Sequence, residues 1–284
     1  MPTTEDLLYP KSLERPKVDW DSNIRPAIIV DNIQYSLAKL KTNPTKGQSA
    51  YIVGANQKTF EQICPVLSAP KLHFYDLRVA DLGALVTRYN SKYLRHLIIT
   101  WNTKVSDISP LSKLTQLETL VLSDTTKIVK LGPLRSLQQL SFLEFSGGIW
   151  KPNRPDSLEP IGDLAQLEAL RLANLKIGDD SLRPIARCKA LKALALSNQF
   201  ATEEYAYLHS QMPHTQCDYF APYVTSPSSM GDSDTMVIGR RKPFLNSRTD
   251  QKRLQGYADK YFALVEKFQS PRSTPTPSRL KRSK

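Results

Sequence analysis

Apolar residues along this chain recur in a six-residue frame, leucine-x-x-leucine-x-leucine or a close equivalent, at near-constant intervals. The frame occupies Leu94-Leu97-Ile99, Leu117-Leu120-Leu122, Leu140-Leu143-Phe145, Leu167-Leu170-Leu172 and Leu191-Leu194-Leu196, in steps of 23, 23, 27 and 24 residues. Inside each frame apolar and other residues alternate, which predicts a short strand. Beyond it the apolar residues fall about every third position: Val105, Ile108, Leu111 and Leu114 in the first unit, Ile128, Leu131, Leu134 and Leu137 in the second. That spacing predicts a tight return segment. Each unit is too small to bury its own apolar face, so its neighbours must bury it. The prediction is a solenoid of stacked units with short parallel strands and helical or irregular returns.

The flanks follow other patterns. Leu72-His-Phe-Tyr75-Asp-Leu77 fits the frame one 22-residue step before Leu94, giving six predicted strands. Ala50–Ala55 reads as a strand and Thr59–Leu67 as a helix, so residues 48–71 form an irregular first unit. Asn23–Leu40 reads as an amphipathic helix, with Trp20 and Ile28 as anchors. After Leu196 the frame stops. A capping helix is expected from Thr202, with that threonine as N-cap, and a strand at Thr235–Ile238. Between Asp250 and Phe268 the residues Leu254, Tyr257, Tyr261, Leu264, Val265 and Phe268 share one helical face. The organisation read from these patterns is an N-terminal flank over 1–47 and a repeat domain over 48–200. A capping region over 201–269 follows, with its amphipathic helix near 250–268, and then a disordered basic tail over 270–284.

The block Val105-Ser-Asp-Ile108-Ser-Pro-Leu-Ser-Lys-Leu-Thr-Gln-Leu-Glu-Thr-Leu120 resembles the short leucine-rich repeats of internalins and of the regulatory subunit of protein phosphatase 1. The resemblance covers roughly residues 72–200. The chain is also similar in pattern to uncharacterised bacterial leucine-rich repeat proteins, through three segments. These are the third-unit loop Ser146-Gly-Gly-Ile-Trp150, the trailer Asn198-Gln-Phe-Ala-Thr-Glu-Glu-Tyr205 and the basic segment Gly239-Arg-Arg-Lys-Pro243. What the resemblance implies is an α/β fold, a right-handed leucine-rich repeat superhelix with its strands on the concave face. It also implies a binding scaffold, without naming the partner.

In this frame the leucines point inward and the alternate residues point out onto the concave sheet. The first outward column is then Phe74, His96, Thr119, Phe142, Ala169 and Ala193, and the second Asp76, Ile98, Val121, Glu144, Arg171 and Ala195. Asn102 sits where the chain turns off the strand, a place taken by Thr125 and Gly148 in the next two units. Phe74, Ile98, Val121 and Phe142 are apolar residues at solvent-facing positions, with Trp101 at the strand edge, and an exposed apolar patch marks a partner site. The competing reading is that a flank, residues 1–47 or 201–240, folds over the sheet. Ala169, Ala173, Ala193 and Ala195 favour cover at their end, with Tyr205, Tyr207, Phe220 and Tyr223 nearby in sequence. Trp150 and Arg154, on the proline-stiffened loop Trp150–Pro155, have the composition of an interface anchor; a Trp150 tucked against the next repeat is the alternative. The candidate binding set is Phe74, His96, Ile98, Trp101, Val121, Phe142, Glu144, Trp150 and Arg154.

Composition changes this picture in one respect. The formal net charge is +12, but residues 240–284 hold thirteen Lys and Arg against three Asp and Glu, leaving +2 for the rest. The basic end is read as a solvated tail, with association to nucleic acid or an anionic surface as the second reading. A third is a targeting subunit whose activity resides on another chain. Three widely spaced cysteines (Cys64, Cys188, Cys217) argue against a disulfide framework and for a reducing compartment. Cys64 and Cys188 occupy apolar positions, and only Cys217 is expected to be exposed. His214-Thr-Gln-Cys217 has no second metal-spaced pair, and Asp179-Asp180 reads as a turn and helix cap. No nucleophile, phosphate-loop or metalloprotease motif is present. The expectation is a cytoplasmic, non-catalytic scaffold for a protein or peptide partner, with no cofactor, no metal and no membrane span.

Overall fold

The computed structural model describes residues 2–16, 24–230 and 232–269, with the side chains of 226–230 left aside. The chain opens with helix α1 (Thr4–Leu8), followed by a single 3-10 turn over Lys11–Leu13. Strands β1 (Ala27–Val30) and β2 (Ile33–Tyr35) form a hairpin. Helix α2 (Leu37–Thr42) and the short β3 (Thr45–Lys46) lead to β4 (Ser49–Val53). Helix α3 (Gln57–Ile63), β5 (Leu67–Ser68), β6 (Lys71–Tyr75) and α4 (Asn90–Tyr93) come next. Five strands with one per repeat follow: β7 (His96–Thr100), β8 (Thr119–Ser123), β9 (Phe142–Ser146), β10 (Ala169–Ala173) and β11 (Ala193–Leu196). The C-terminal cap consists of α5 (Thr202–Gln211), β12 (Tyr223–Met230), β13 (Ser233–Val237), β14 (Phe244–Leu245) and α6 (Gln251–Gln269).

Among the described residues, nine strands make one sheet in the order β11-β10-β9-β8-β7-β6-β4-β1-β2. It is parallel from β11 to β4, and β1 runs antiparallel to both its neighbours. The second leucine of every frame lies in one ladder, Leu72–Leu97–Leu120–Leu143–Leu170–Leu194. All six are buried in a core that runs the length of the stack, where each side chain contributes about 1.5–3 kcal/mol of transfer free energy. The returns are 3-10 turns at Ser109–Lys113, Gly132–Ser136 and Arg183–Arg187, each with a proline near its start, where the missing N–H costs nothing.

Two predicted elements differ. Where the pattern predicts a helix over Asn23–Leu40, residues 27–35 form the β1–β2 hairpin and only the start of α2 is helical, because Asp31 and Asn32 both take positive φ (47° and 67°) in the two-residue turn that right-twisted hairpins require. The β-branched run Ile28-Ile29-Val30 then extends the sheet past β4. The suggested anchor Trp20 lies outside the described residues, as does the tail 270–284. In β6 the frame is shifted: Leu72 pairs with Leu97 and Phe74 with Ile99. The repeat position here is Ala69-x-x-Leu72-x-Phe74, and Leu77 belongs to the turn that follows. An odd shift turns every side chain to the opposite face. Phe74 is therefore 1% exposed in the core, against the prediction that it faces solvent, and the concave positions of β6 are Lys71, His73 and Tyr75.

The cap joins the last repeat through the two segments singled out by pattern. Asn198 Nδ2 donates to the Val237 carbonyl and its Oδ1 accepts from Gly239 N–H at 2.7 Å. Arg240 reaches the Gln199 carbonyl and pairs with Asp180. Glu204 in α5 accepts from Leu182 N–H at 2.7 Å and from the Ser181 hydroxyl. The N-cap of α5 is Ala201, not Thr202, whose hydroxyl donates instead to the Ile238 carbonyl at 2.9 Å. Leu254, Ala258, Tyr261 and Val265 are the buried face of α6.

Candidate functional site

The face of the sheet expected to be concave carries the two expected columns in register across β7 to β11: His96–Thr119–Phe142–Ala169–Ala193 and Ile98–Val121–Glu144–Arg171–Ala195. Its apolar stripe, however, is covered. Ile98, Val121, Phe142, Ala169 and Ala193 form a buried cluster closed by Leu7, Leu8 and Leu13 from the start of the chain. Residues 4–15 cross the strands as a strap. Helix α1 packs on β10 and β11, the Ser12 hydroxyl lies 3.3 Å from Thr119 Oγ1 on β8, and Lys71 Nζ on β6 donates to the Glu14 carbonyl at 2.7 Å. The small residues Ala169 and Ala193 admit a close approach, as expected, but the occupant is α1. Tyr205, proposed for that place, lies in the main core.

Polar contacts set the strap's position. Thr3 and Asp6 form a reciprocal capping box that starts α1. Glu144 and Arg171, side by side on β9 and β10, pair at 2.9 Å, and the Arg171 guanidinium lies 4.5 Å from the Tyr9 ring centre. His96 is half-buried, with Nδ1 3.0 Å from Thr119 Oγ1, and burial lowers its pKa. Of the predicted set, Ile98, Val121 and Phe142 thus sit on the predicted face without being open to solvent. His96, Glu144 and Arg171, an outward position not included in the candidate binding set, line the seat of the strap.

The strand-exit edge is open. Trp101 takes positive φ and is 49% exposed, its ring edge-on to Tyr75 at 6.0 Å. In the third unit the chain leaves the stack between Gly147 and Asn153, and Ile149 and Trp150 are 89% and 95% exposed, so Trp150 is not tucked against the next repeat. Arg154 is exposed beside them. The loop's feet are pinned. Gly147 N–H donates to the Ala173 carbonyl at 3.0 Å, Gly148 N–H to Lys151 O at 2.9 Å, and Asn153 Nδ2 to Ser146 O at 3.0 Å. A Cβ on Gly147 would come within 2.4 Å of the Asn174 carbonyl oxygen, so the close crossing requires glycine. Asn153, fully buried, does here what Asn102 does in the first unit, in place of the predicted Gly148. Both donate their N–H to the next unit, to the carbonyls of Asp124 and Asn174. The inserted residues hide this equivalence from a count of positions.

Sites for chemistry are poorly supplied. Among the described residues no three His, Cys, Asp or Glu side chains converge as a metal site would need. Burial pushes the Cys64 and Cys217 thiols up to about 12 and Cys188 to about 11, away from the thiolate a nucleophile requires. Cys217 is half-buried in place of the expected exposure. No helix among the described residues is long and apolar enough to cross a membrane.

A family model described as "Leucine Rich repeats (2 copies)" matches residues 94–147, the span from the first full frame through β9. No curated protein matches the sequence. Among solved structures, the chain is similar to internalin C2 of Listeria monocytogenes, at 18% identity over 58% of this chain and 78% of that one, with a TM-score of 0.34. It is also similar to a leucine-rich repeat protein of Leptospira interrogans, at 17% identity over 57% of this chain and 50% of that one, again with a TM-score of 0.34.

Proposed function

We propose that this leucine-rich repeat chain is a non-catalytic scaffold that binds a protein partner through its strand-exit edge. The right-handed superhelix expected of such repeats would display that edge along one side. The observation that carries the reading is the loop tip at Ile149 and Trp150, almost fully exposed on a base fixed by backbone hydrogen bonds. Two large apolar side chains in water are unfavourable unless something covers them, and a tip held in place loses little further entropy when it docks. Arg154, and Trp101 on the same edge, supply the charged and aromatic contacts that concentrate binding energy at interfaces.

A second reading places the partner on the concave stripe after the strap leaves. Its support is that neither α1 nor the Lys11–Leu13 turn has a fully buried residue, so little apolar area holds the strap down. Proximity labelling in the native cell, with three forms of the chain, separates the two. Under the edge reading, Ile149→Ser with Trp150→Ser loses the partners labelled by the parent, at an unchanged melting temperature, and Leu7→Asp with Leu8→Asp keeps them. Partners kept by the loop variant and enriched by the strap variant would move the site to the concave face.

A further inference from the structure

Where the strap leaves the repeats it borders a half-open cavity of about 310 Å³ against β4 and β6. One wall is Lys11, Glu14 and Arg15 of the strap; the other includes Tyr51, Lys71 and His73 of the sheet. His73 is 3% exposed, yet neither of its ring nitrogens has a hydrogen-bond partner. Its ring stands at a steep angle to that of Tyr51, with the ring centres 4.7 Å apart. A buried donor left unpaired costs about 1–3 kcal/mol, and because the ring borders the cavity, a small rotation about its side-chain bonds would bring one nitrogen to a partner inside it.

The charges around His73 call for the same partner. Among the described residues that line the cavity, Lys11, Arg15 and Lys71 stand with one carboxylate, Glu14, a balance of two positive charges with the imidazole neutral. The nearby Asp31 carboxylate is already engaged, accepting from the N–H groups of Gln48 and Ser49. Lys71 is already partly desolvated: burial lowers its pKa, and its hydrogen bond goes to a neutral carbonyl. The same surroundings, burial first and then Arg15 and Lys71, hold the imidazole of His73 neutral. A neutral ring cannot repel the cations beside it, and it keeps one N–H to donate.

We infer that this cavity binds a small phosphate monoester, with the phosphate dianion between Lys11, Arg15 and Lys71 and accepting a hydrogen bond from His73. Two charges on the anion match the two in excess on the wall, whereas a single carboxylate leaves one uncompensated. Charge-assisted hydrogen bonds from ammonium and guanidinium groups are the strong ones in such sites. The cavity has room for a phosphate with a short organic substituent. Since one wall belongs to the strap, a ligand that needs both walls stabilises the docked strap by mass action. The concave stripe would then open least when the phosphate compound is abundant. The site is independent of the edge-loop reading and stands or falls separately.

Calorimetric titration of the full chain at constant ionic strength tests the proposal. Inorganic phosphate and glycerol 3-phosphate should each bind one saturable site, and succinate should not compete. Lys71→Met should weaken binding about tenfold or more, and Lys11→Gln, at an exposed position, severalfold with no change in melting temperature. Amide exchange at Leu7, Tyr9 and Leu13, whose N–H groups bond within the strap, should slow on adding phosphate. Absence of saturable phosphate binding would overturn the inference, and so would equal binding by the parent and both variants. Binding of a phosphoserine peptide with none of free phosphate or glycerol 3-phosphate would overturn it too, since the site would then serve a macromolecule.

Discussion

At the scale of single residues, the frame leucines carry the fold. Leu120 and Leu170 are fully buried in the central ladder, and a carboxylate there would have no partner. Leu120→Asp and Leu170→Asp should each cost several kcal/mol and abolish the cooperative thermal transition of the repeats. A melt within a few degrees of the parent would mean that the ladder is misplaced. His73 is the residue whose titration should matter most. Its pKa falls from 6.5 to about 3, by burial and then by Arg15 and Lys71. Below pH 6.5 the unfolded chain takes up a proton that the folded chain refuses. Its contribution is therefore intact above pH 6.5 and lost progressively toward about pH 3, with an upper slope of about 1.4 kcal/mol per pH unit. Chemical denaturation as a function of pH should show a shallower acid limb for His73→Phe than for the parent; identical limbs would remove His73 from the account.

At the scale of elements, the strap is the weakest attachment. Helix α1 has five residues, too few to hold as a helix alone, and Leu7, Leu8 and Leu13 are only half-buried against the stripe. The core ladder beneath does not depend on it. Leu7→Asp with Leu8→Asp should release the strap, lower the melting temperature by only a few degrees and raise the binding of an environment-sensitive apolar dye, because Ile98, Val121 and Phe142 become accessible. Collapse of the main transition in this variant would show that the strap is part of the fold and not a cover on it.

At the scale of the molecule, a stack of repeats is as stable as its ends are closed. The hairpin β1–β2 finishes one end of the sheet, and α5, backed by α6, finishes the other. Tyr261 of α6 is buried in the main core and its hydroxyl lies 3.2 Å from His209 Nδ1. Tyr261→Asp should detach α6 and loosen the stack from its C-terminal side. Hydrogen exchange should then rise first in α5 and β11, next in β10, and least in β7. A uniform rise over all strands would argue for a single cooperative block in place of a stack.

Periodicity alone determined the parallel strands β7 to β11, their inward leucines and their outward columns, because each repeat states the same local rule and neighbours must pack in register to bury it. It also exposed the edge loop, through the lengthened third step and its tryptophan. The tertiary structure decided what single-copy segments do. The face of β6 could not be read, because Leu72-x-x-Tyr75-x-Leu77 mimics the frame while Ala69 hides the true one, and a strand's two faces differ by one residue of shift. The hairpin at Asp31-Asn32 was masked by a helical spacing of apolar residues, and Asn153 by the residues inserted before it. That a flank, 1–47 or 201–240, covers the stripe was readable only as an alternative, and which flank does so, through which residues, was out of reach. Leu7, Leu8 and Leu13 are distant in sequence from Ile98 and Phe142, and no local pattern says which of two apolar surfaces meets the other. That choice belongs to the packed chain.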